Sequence, residues 1–117
     1  MHLIPTDRLE QRVIDGDAVC DAIEALGKPA DVNHWASRYA LLGDPTRLAL
    51  LICIHRAGPI AVSDLAVATG NVDATVSQAL RYLRAAGVVS VQREGRIMRY
   101  SLADDTIITL IEAATSR

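Results

Sequence analysis

The stretch from Ser63 to Leu102 constrains the fold more than any other part of the 117-residue chain. Small and apolar residues after Ser63 predict a short helix capped by that serine. The helix should end at Gly70, because glycine readily adopts the left-handed conformation found at helix ends. A second helix is predicted to begin almost at once, near Asp73. Its apolar residues recur at helical spacing and form a core stripe: Val76, Leu80 and Leu83.

A β-hairpin is predicted after the second helix. Apolar and polar residues alternate over residues 89–92 and again over residues 97–102, on either side of the dipeptide Glu94-Gly95. Alternation of this kind around a glycine-containing turn is typical of two paired strands with one buried face. The fold class that we predict is therefore mainly α with a small β-hairpin wing, that is, a winged helix-turn-helix.

Charge is unevenly distributed along the chain. The net charge is -2, but residues 74–102 contain five arginines and one acidic residue, whereas residues 1–46 contain eight acidic and four basic residues. A basic surface beside a helix that fits the major groove indicates binding to double-stranded DNA. Hydroxyl and amide side chains of the second helix are expected to reach bases, and the arginines to contact phosphates or a neighbouring groove. The predicted DNA-binding residues are Thr75, Ser77, Gln78, Arg81, Arg84, Arg93 and Arg96.

Four runs of the sequence resemble the ArsR/SmtB family of prokaryotic winged-helix repressors. They are LGDPTRLALL, VSDLAVATG, VSQALRYLRAAGVV and REGRIMRYSL, and the resemblance extends from about Trp35 to the C-terminus. It implies a homodimeric repressor that releases its operator DNA when a metal ion or another signal acts on it. No glycine-rich phosphate loop, GxSxG or HExxH motif is present, so we expect neither enzyme activity nor an organic substrate.

Residues 1–30 are predicted to form an N-terminal helical extension, and residues 31–117 the winged helix-turn-helix domain. In the extension, Asp7 with Glu10 is placed to cap a first short helix, and Asp17 to cap a second.

Three further helices are predicted in the second domain, over residues 32–42, 45–56 and 106–114. Asp44 is placed to cap the middle one, with Pro45 at its first position. The other two carry apolar stripes that a domain of this size would leave exposed, which favours a symmetric dimer. The predicted dimer-interface residues are Trp35, Tyr39, Ile107, Leu110 and Ile111.

Two cysteines and three histidines are the thiol and imidazole metal donors of the chain. Two metal sites of the family do not carry over, because residues 59–65 lack its thiol and Asp104 lacks a histidine two positions later. Cys53 and His55 point about 200° apart on a helix, so they cannot chelate one ion from the same face, but either one can join Cys20 or His34 of the N-terminal helices. Thiolate and imidazole ligands suit zinc, cobalt, nickel or copper(I) as the effector. The candidate metal ligands are Cys20, His34, Cys53 and His55.

Two cysteines do not make a disulfide framework, no apolar run approaches the ~18 residues of a membrane span, and no signal-peptide pattern is present. We therefore expect a cytoplasmic protein with no membrane partner. Other functions remain open at this point. They are a repressor that responds to thiol redox chemistry or a non-metal ligand, a winged-helix protein-interaction module without DNA binding, and a small thiol-based enzyme or redox carrier.

Overall fold

Six α-helices and three short strands make up the part of the chain that the computed structural model describes, which is residues 3–8 and 11–116. The helices are α1 (Gly16–Leu26), α2 (Pro29–Leu42), α3 (Pro45–Ala57), α4 (Val62–Thr69), α5 (Asp73–Ala85) and α6 (Asp105–Thr115). The strands are β1 (Ile60–Ala61), β2 (Val89–Glu94) and β3 (Ile97–Leu102). The chain divides into two compact units, Met1–Ser37 and Arg38–Arg117, with the division within α2. The predicted domain boundary at residue 30 stays a prediction.

The prediction of a first short helix, over residues 8–14 of the extension, is wrong for the part of that segment that the structure describes. A single 3-10 turn covers Thr6–Arg8, and residues 11–14 are not helical. Glu10, one of the two predicted capping residues, lies outside the described residues. The prediction was based on two acidic residues three positions apart. Between them and Gly16 the apolar residues do not recur at helical spacing, so a helix started there gains little from being extended.

Asp15, and not Asp17, caps α1. Its backbone is extended, and its carboxylate accepts a hydrogen bond from the Ala18 N–H at 3.1 Å. Asp17 already lies inside the first turn of the helix, where its own backbone is helical and it does not occupy the cap position. The predicted end of this helix near Gly27 is confirmed, because that glycine follows the last helical residue at a φ of 66°.

The helix α2 begins at Pro29, three residues before the predicted residue 32. Proline suits the first helical position, because its φ is preset and the missing N–H has no helical partner there. The Lys28 N–H donates to the Asp31 carboxylate at 2.8 Å, which helps to fix the start of the helix.

The helix α3 lies at the centre of the second unit. Asp44 caps it as predicted, because its carboxylate accepts a hydrogen bond from the Arg47 N–H at 2.9 Å, and Pro45 is the first helical residue. Three side chains of α3 are almost fully buried, and Ile52 and Cys53 are half-buried against the same core. The buried three are Leu50, Leu51 and Ile54.

A three-stranded antiparallel sheet with the order β1-β3-β2 follows α3 and includes the predicted hairpin. The hairpin register pairs Val89 with Leu102 and Glu94 with Ile97, which leaves a two-residue turn. Gly95 in that turn has a φ of 64°, the left-handed value that favours glycine. Strand β1, which pairs with β3, was not predicted, because two residues are too few to show alternation.

The helix-turn-helix consists of α4 and α5. Their separation by Gly70, in the left-handed conformation at a φ of 70°, is confirmed. The predicted Ser63 cap is wrong, since the cap position belongs to Ala61. The reason is that β1 ends at Ala61 in an extended conformation, so the helix begins directly after the strand and Ser63 falls within its first turn. The core stripe of α5 is fully buried as predicted: Val76, Leu80 and Leu83.

The last helix corrects part of the predicted dimer interface. Asp104 caps α6 by accepting a hydrogen bond from the Ile107 N–H at 3.0 Å. Ile107 and Ile111 are fully buried within the second unit, where α6 packs against α3, and Leu110 is half-buried. The apolar stripe of α6 therefore completes the core of its own subunit. It does not present Ile107 and Ile111 to a partner.

The central position of α3 gives a stability prediction. Leu51→Ala should lower the free energy of unfolding by about 2–5 kcal/mol, because it leaves a cavity among fully buried side chains. Val67→Ala is a matched control on α4, where the side chain is 84% exposed. It should change the free energy by less than about 0.5 kcal/mol. Urea unfolding followed by circular dichroism at one protein concentration compares the two, and equal losses would contradict the assigned core.

Candidate nucleic-acid interface

The buried stripe of α5 determines which of its side chains face outward. Because Val76, Leu80 and Leu83 are fully buried against the core, the opposite face of this 13-residue helix is turned to solvent. Most of the residues predicted to contact DNA from this helix are exposed, and Ser77 is half-buried. The exposed ones are Thr75, Gln78, Arg81 and Arg84.

One open cleft, of about 340 Å³, separates the beginning of α3 from α5. Thr75 and Gln78 line it together, so the structure brings two of the predicted base-reading residues to the same place. Thr46 and Arg47 of α3 form its opposite wall, and Tyr82 lies further along α5. The polar groups in this cleft include hydroxyl, amide and guanidinium side chains, which are groups that bind base edges and phosphates.

A second open cleft, of about 390 Å³, lies between the helix-turn-helix and the hairpin. Ser77 and Arg96 both line it, so the structure places this pair apart from Thr75 and Gln78. Its walls also include Ser63, Asp73 and apolar residues of β3. The polar surface of α5 is thus divided between a cleft toward α3 and a cleft toward the hairpin.

The hairpin has its arginines at and beside the turn. Arg93 is exposed, and its Nε donates a hydrogen bond to the Gly95 carbonyl at 3.0 Å, which holds its guanidinium close to the tip. Arg96 lies in the turn itself and is exposed. Arg99, for which no DNA contact was predicted, donates from its Nε to the Glu94 carboxylate at 3.2 Å, an exposed ion pair. Arg99 is thus paired with a carboxylate, whereas the hydrogen bond of Arg93 is to a backbone carbonyl at the exposed tip.

The prediction that one face of the hairpin is buried is confirmed only at the end of the hairpin nearest the core. Val89 is buried, and Tyr100 and Leu102 are half-buried, but Met98 is exposed. Ile97, on the other face, is exposed as well. The outer half of the hairpin extends beyond the part that the core covers, so it projects into solvent on both faces.

The four candidate metal ligands are divided between the two units of the structure. Cys20 and His34 belong to the first unit, while Cys53 and His55 belong to the second. Cys53 is half-buried against the core, whereas His55 is exposed beside an open cavity of about 680 Å³. Across residues 3–8 and 11–116, no three histidine, cysteine, aspartate or glutamate side chains lie close enough together to hold a metal ion.

The two dimer-interface residues predicted on α2 are exposed side chains. Trp35 is 42% exposed and Tyr39 is 55% exposed. The ring of His34 contacts Trp35 edge to face, with 5.5 Å between the ring centroids. The ring of His34, a candidate metal ligand, therefore packs against an indole, which does not bind metal ions.

Two arginines make contacts that were not predicted. Arg38 of α2 forms an ion pair with Asp104 and donates from Nη1 to the Ala86 carbonyl at 3.2 Å. Arg47 of α3 donates to the carbonyls at the end of α2, and its guanidinium carbon lies 4.8 Å from the centroid of the Tyr82 ring. Arg47 belongs to a run that carried the family resemblance. The contacts with Asp104, Ala86 and Tyr82 have no sequence signal, because these partners are distant in the chain from the arginines that they meet.

No helix among the described residues has both the length and the apolar character that crossing a membrane requires.

No protein-family model matches the chain. Two transcriptional regulators are similar to the chain in sequence. The chain is 42% identical over 79 residues to the HTH-type transcriptional regulator NmtR of Mycobacterium tuberculosis, a match that covers 68% of this chain and 65% of NmtR, slightly under two thirds. It is 33% identical over 110 residues to the cadmium resistance transcriptional regulatory protein CadC homolog of Staphylococcus aureus, which covers 92% of this chain and 88% of that protein.

Two solved structures share the fold. The antimony-specific transcriptional repressor AntR has a TM-score of 0.73 at 24% identity, over 97% of this chain and 90% of AntR. The homodimeric winged helix-turn-helix domain Mb0332 of Mycobacterium bovis, described as a possible ArsR-family regulator, has a TM-score of 0.66 at 29% identity, over 77% of this chain and 82% of that domain. The sequence matches and the common fold agree, and the chain belongs to the ArsR/SmtB family of winged helix-turn-helix transcriptional repressors.

Proposed function

We propose that the protein is a cytoplasmic, homodimeric repressor that binds an operator with two half-sites and releases it when a soft or borderline transition-metal ion binds. The proposal assigns it no catalytic activity. The observation that carries the proposal is the outward face of α5, where Thr75 and Gln78 share one cleft while arginines lie along the helix and at the tip of the hairpin.

In this proposal α5 enters the major groove and its first turns read bases. Gln78 pairs with adenine through its amide, and the hydroxyls of Thr75 and Ser77 contact base edges or phosphates. Arg81 and Arg84, further along the exposed helix, contact phosphates. Since phosphate contacts give affinity and base contacts give selectivity, the two groups of residues have separable effects on binding.

The hairpin contributes a second contact with DNA. Arg93 and Arg96 are exposed at its tip, and the outer half of the hairpin projects into solvent. The net charge of -2 does not oppose this role, because ions screen the acidic N-terminal residues over about 8–10 Å at physiological salt, while contacting arginines displace counterions directly.

Dimerisation is proposed through the exposed surface of α2, with Trp35 and Tyr39, and through the half-buried Leu110 of α6. The homodimeric state of the Mb0332 domain supports it. Exposed aromatic side chains are enriched in the centres of protein interfaces, because they bury a large area at a small cost in side-chain entropy. Ile107 and Ile111 have no direct part in this interface, since they are buried within the subunit.

A metal effector is supported by one relative whose name refers to cadmium resistance, and by the presence of thiol and imidazole donors. The described residues of a single chain bring no three donors together, so they do not make a complete site. We therefore propose that Cys20, His34, Cys53 and His55 act as ligands only together with donors from a second subunit. Zinc, cobalt, nickel and copper(I) are the ions whose preferences fit these donors.

The hairpin contact is tested by the salt dependence of binding to mixed-sequence duplex DNA. Changing Arg93 and Arg96 together to Ala should weaken binding to all duplexes and reduce the slope of log K against log salt by about two units, because two phosphate contacts are lost. The matched control removes the ion pair of the same hairpin, with Glu94→Ala and Arg99→Ala together, and leaves the net charge unchanged. An equal change of slope in both variants would contradict the assigned contact, and no binding by the unmodified protein would contradict DNA binding.

The interface is tested by sedimentation. Tyr39→Asp should raise the dimer dissociation constant by about 100-fold or more, because a carboxylate is then desolvated at the interface. Operator affinity should fall with it, since only a fixed dimer presents two recognition helices about one helical turn of DNA apart. Val67→Asp places the same charge on another exposed apolar residue and should leave the dimer intact. A Tyr39→Asp protein that sediments like the unmodified dimer would exclude α2 from the interface.

The effector is tested by titrating zinc, cobalt, nickel and copper(I) into the unmodified protein and into its two cysteine variants. We expect at least one of these ions to release DNA, and cobalt to give a thiolate charge-transfer band that Cys53→Ser weakens, because one of the proposed thiolate ligands is lost. Cys20→Ser, assayed in parallel, shows whether the second thiol is also a ligand. If no band forms and both serine variants release DNA as the unmodified protein does, the cysteines only pack. The ligands that release DNA must then lie elsewhere in the protein. If none of these ions releases DNA from the unmodified protein, thiol oxidants and small-molecule ligands are the remaining effector classes.

A further inference from the structure

The C-terminal end of the recognition helix α5 is attached to two other helices through one side chain. Arg38, near the end of α2, donates a hydrogen bond from Nη1 to the carbonyl of Ala86, the residue that caps α5, at 3.2 Å. Its Nη2 forms an ion pair with Asp104, the residue that caps α6. The two side chains are only 15% and 24% exposed. Arg38 therefore joins α2, α5 and α6 at one partly buried point, which we call the Arg38 junction.

The charges at the Arg38 junction match the helix ends that they contact. A helix carries partial negative charge at its C-terminus and partial positive charge at its N-terminus, so a guanidinium beside Ala86 and a carboxylate beside the start of α6 are both favourable. The Asp104 carboxylate also accepts the Ile107 N–H at 3.0 Å. Because the planar guanidinium holds a carbonyl and a carboxylate at once, the contact fixes direction as well as distance.

A second contact holds the middle of α5. The Arg47 guanidinium lies against the ring of Tyr82, with 4.8 Å from its carbon to the ring centroid. The same guanidinium donates to the carbonyls of Leu41 and Ala40 at 3.1 and 3.0 Å. Since α5 is held at Tyr82 by Arg47 and at Ala86 by Arg38, two points fix its direction relative to the end of α2.

A displacement at one end of α5 is enlarged at the other. With a rise of 1.5 Å per residue, Ala86 lies about 6 Å from Tyr82 along the axis, and Thr75 lies about 10 Å from it on the opposite side. If α5 pivots at Tyr82, a shift of about 1 Å at Ala86 moves the first turn by about 1.7 Å. A shift of that size misplaces the groups that read bases, whose hydrogen bonds tolerate only a few tenths of an ångström.

We infer that Arg38, held by Asp104, is a positioning residue that fixes the angle of α5 and thereby sets the half-site spacing that the dimer accepts. The inference rests on the proposed function, because it requires a dimer that binds paired half-sites. Arg38 touches no base or phosphate in this scheme. It acts through the Ala86 carbonyl at the end of α5 that is distant from the base-reading turn.

The experiment measures affinity as a function of half-site spacing. A duplex that the unmodified protein selects from a random-sequence pool supplies the half-site, and a series of duplexes then varies the distance between two copies in single base pairs around one helical turn. A duplex with one half-site is the reference. Dimerisation is measured by sedimentation for every variant, so that a loss of the dimer is not mistaken for a change of spacing.

Arg38→Met removes the guanidinium and keeps an unbranched side chain, whereas Asp104→Asn removes the negative charge and keeps an oxygen that can cap α6. For the unmodified protein we expect the best spacing to bind about tenfold more tightly than spacings changed by two base pairs, within the range of allosteric couplings. Both variants should reduce this ratio to about threefold or less and bind the single half-site within about twofold of the unmodified protein. Arg38→Lys, which can keep the ion pair but has no fork, should give an intermediate ratio.

Arg81→Ala is the matched control, because an exposed phosphate-contacting arginine on the same helix should weaken binding at every spacing alike. If the two junction variants keep the spacing preference of the unmodified protein, the inference is wrong. It is also wrong if their affinity for the single half-site falls in step with that for the paired sites, since Arg38 then only stabilises the fold. If the unmodified protein selects no duplex, the proposed function itself has failed.

Discussion

The burial of α3 is the interaction on which the rest of the winged helix-turn-helix depends. Leu50, Leu51 and Ile54 are almost fully buried, and α4, α5, α6 and β3 all pack against this one helix. A helix that is apolar on several sides has no stable place at a surface, so it organises the other elements around itself. The outward direction of Thr75 and Gln78 follows from this packing, because burying one face of α5 against the core leaves the other face to solvent.

Function in this fold depends on local charge and not on the net charge of the chain. The protein is slightly acidic, yet the exposed arginines of α5 and the hairpin lie together in a segment with a single acidic residue, Glu94, beyond Asp73. Glu94 is paired with Arg99, so it opposes the field of Arg93 and Arg96 less than an unpaired carboxylate would. Composition alone would have classed this chain with proteins that do not bind polyanions, whereas the order of residues along one segment indicates the opposite.

Sequence patterns predicted the elements whose signals are local. Alternation, helical spacing and Gly70 were sufficient for α5 and the hairpin, because each signal lies within a few residues of the structure that it specifies. The predictions that failed concerned features that depend on contacts between residues far apart in the chain. The end of β1 decides the cap of α4 through its pairing with β3, and the packing of α6 on α3 decides that Ile107 faces inward. The metal ligands could not be grouped from sequence for the same reason, since spacing on one helix says nothing about donors elsewhere.

In the proposed function, the contacts around α5 make a weak signal sufficient to regulate the repressor. A hydrogen bond to a charged group contributes about 1.5–3 kcal/mol, and allosteric coupling between sites is typically about 1–3 kcal/mol. The Arg38 junction joins three helices through one guanidinium. Under this proposal, an effector that displaces either α2 or α6 changes the support of α5 by an amount comparable to a typical coupling free energy. No rearrangement of the core around α3 is required, because Arg38 lies at the edge of that core, where α5 ends and α6 begins.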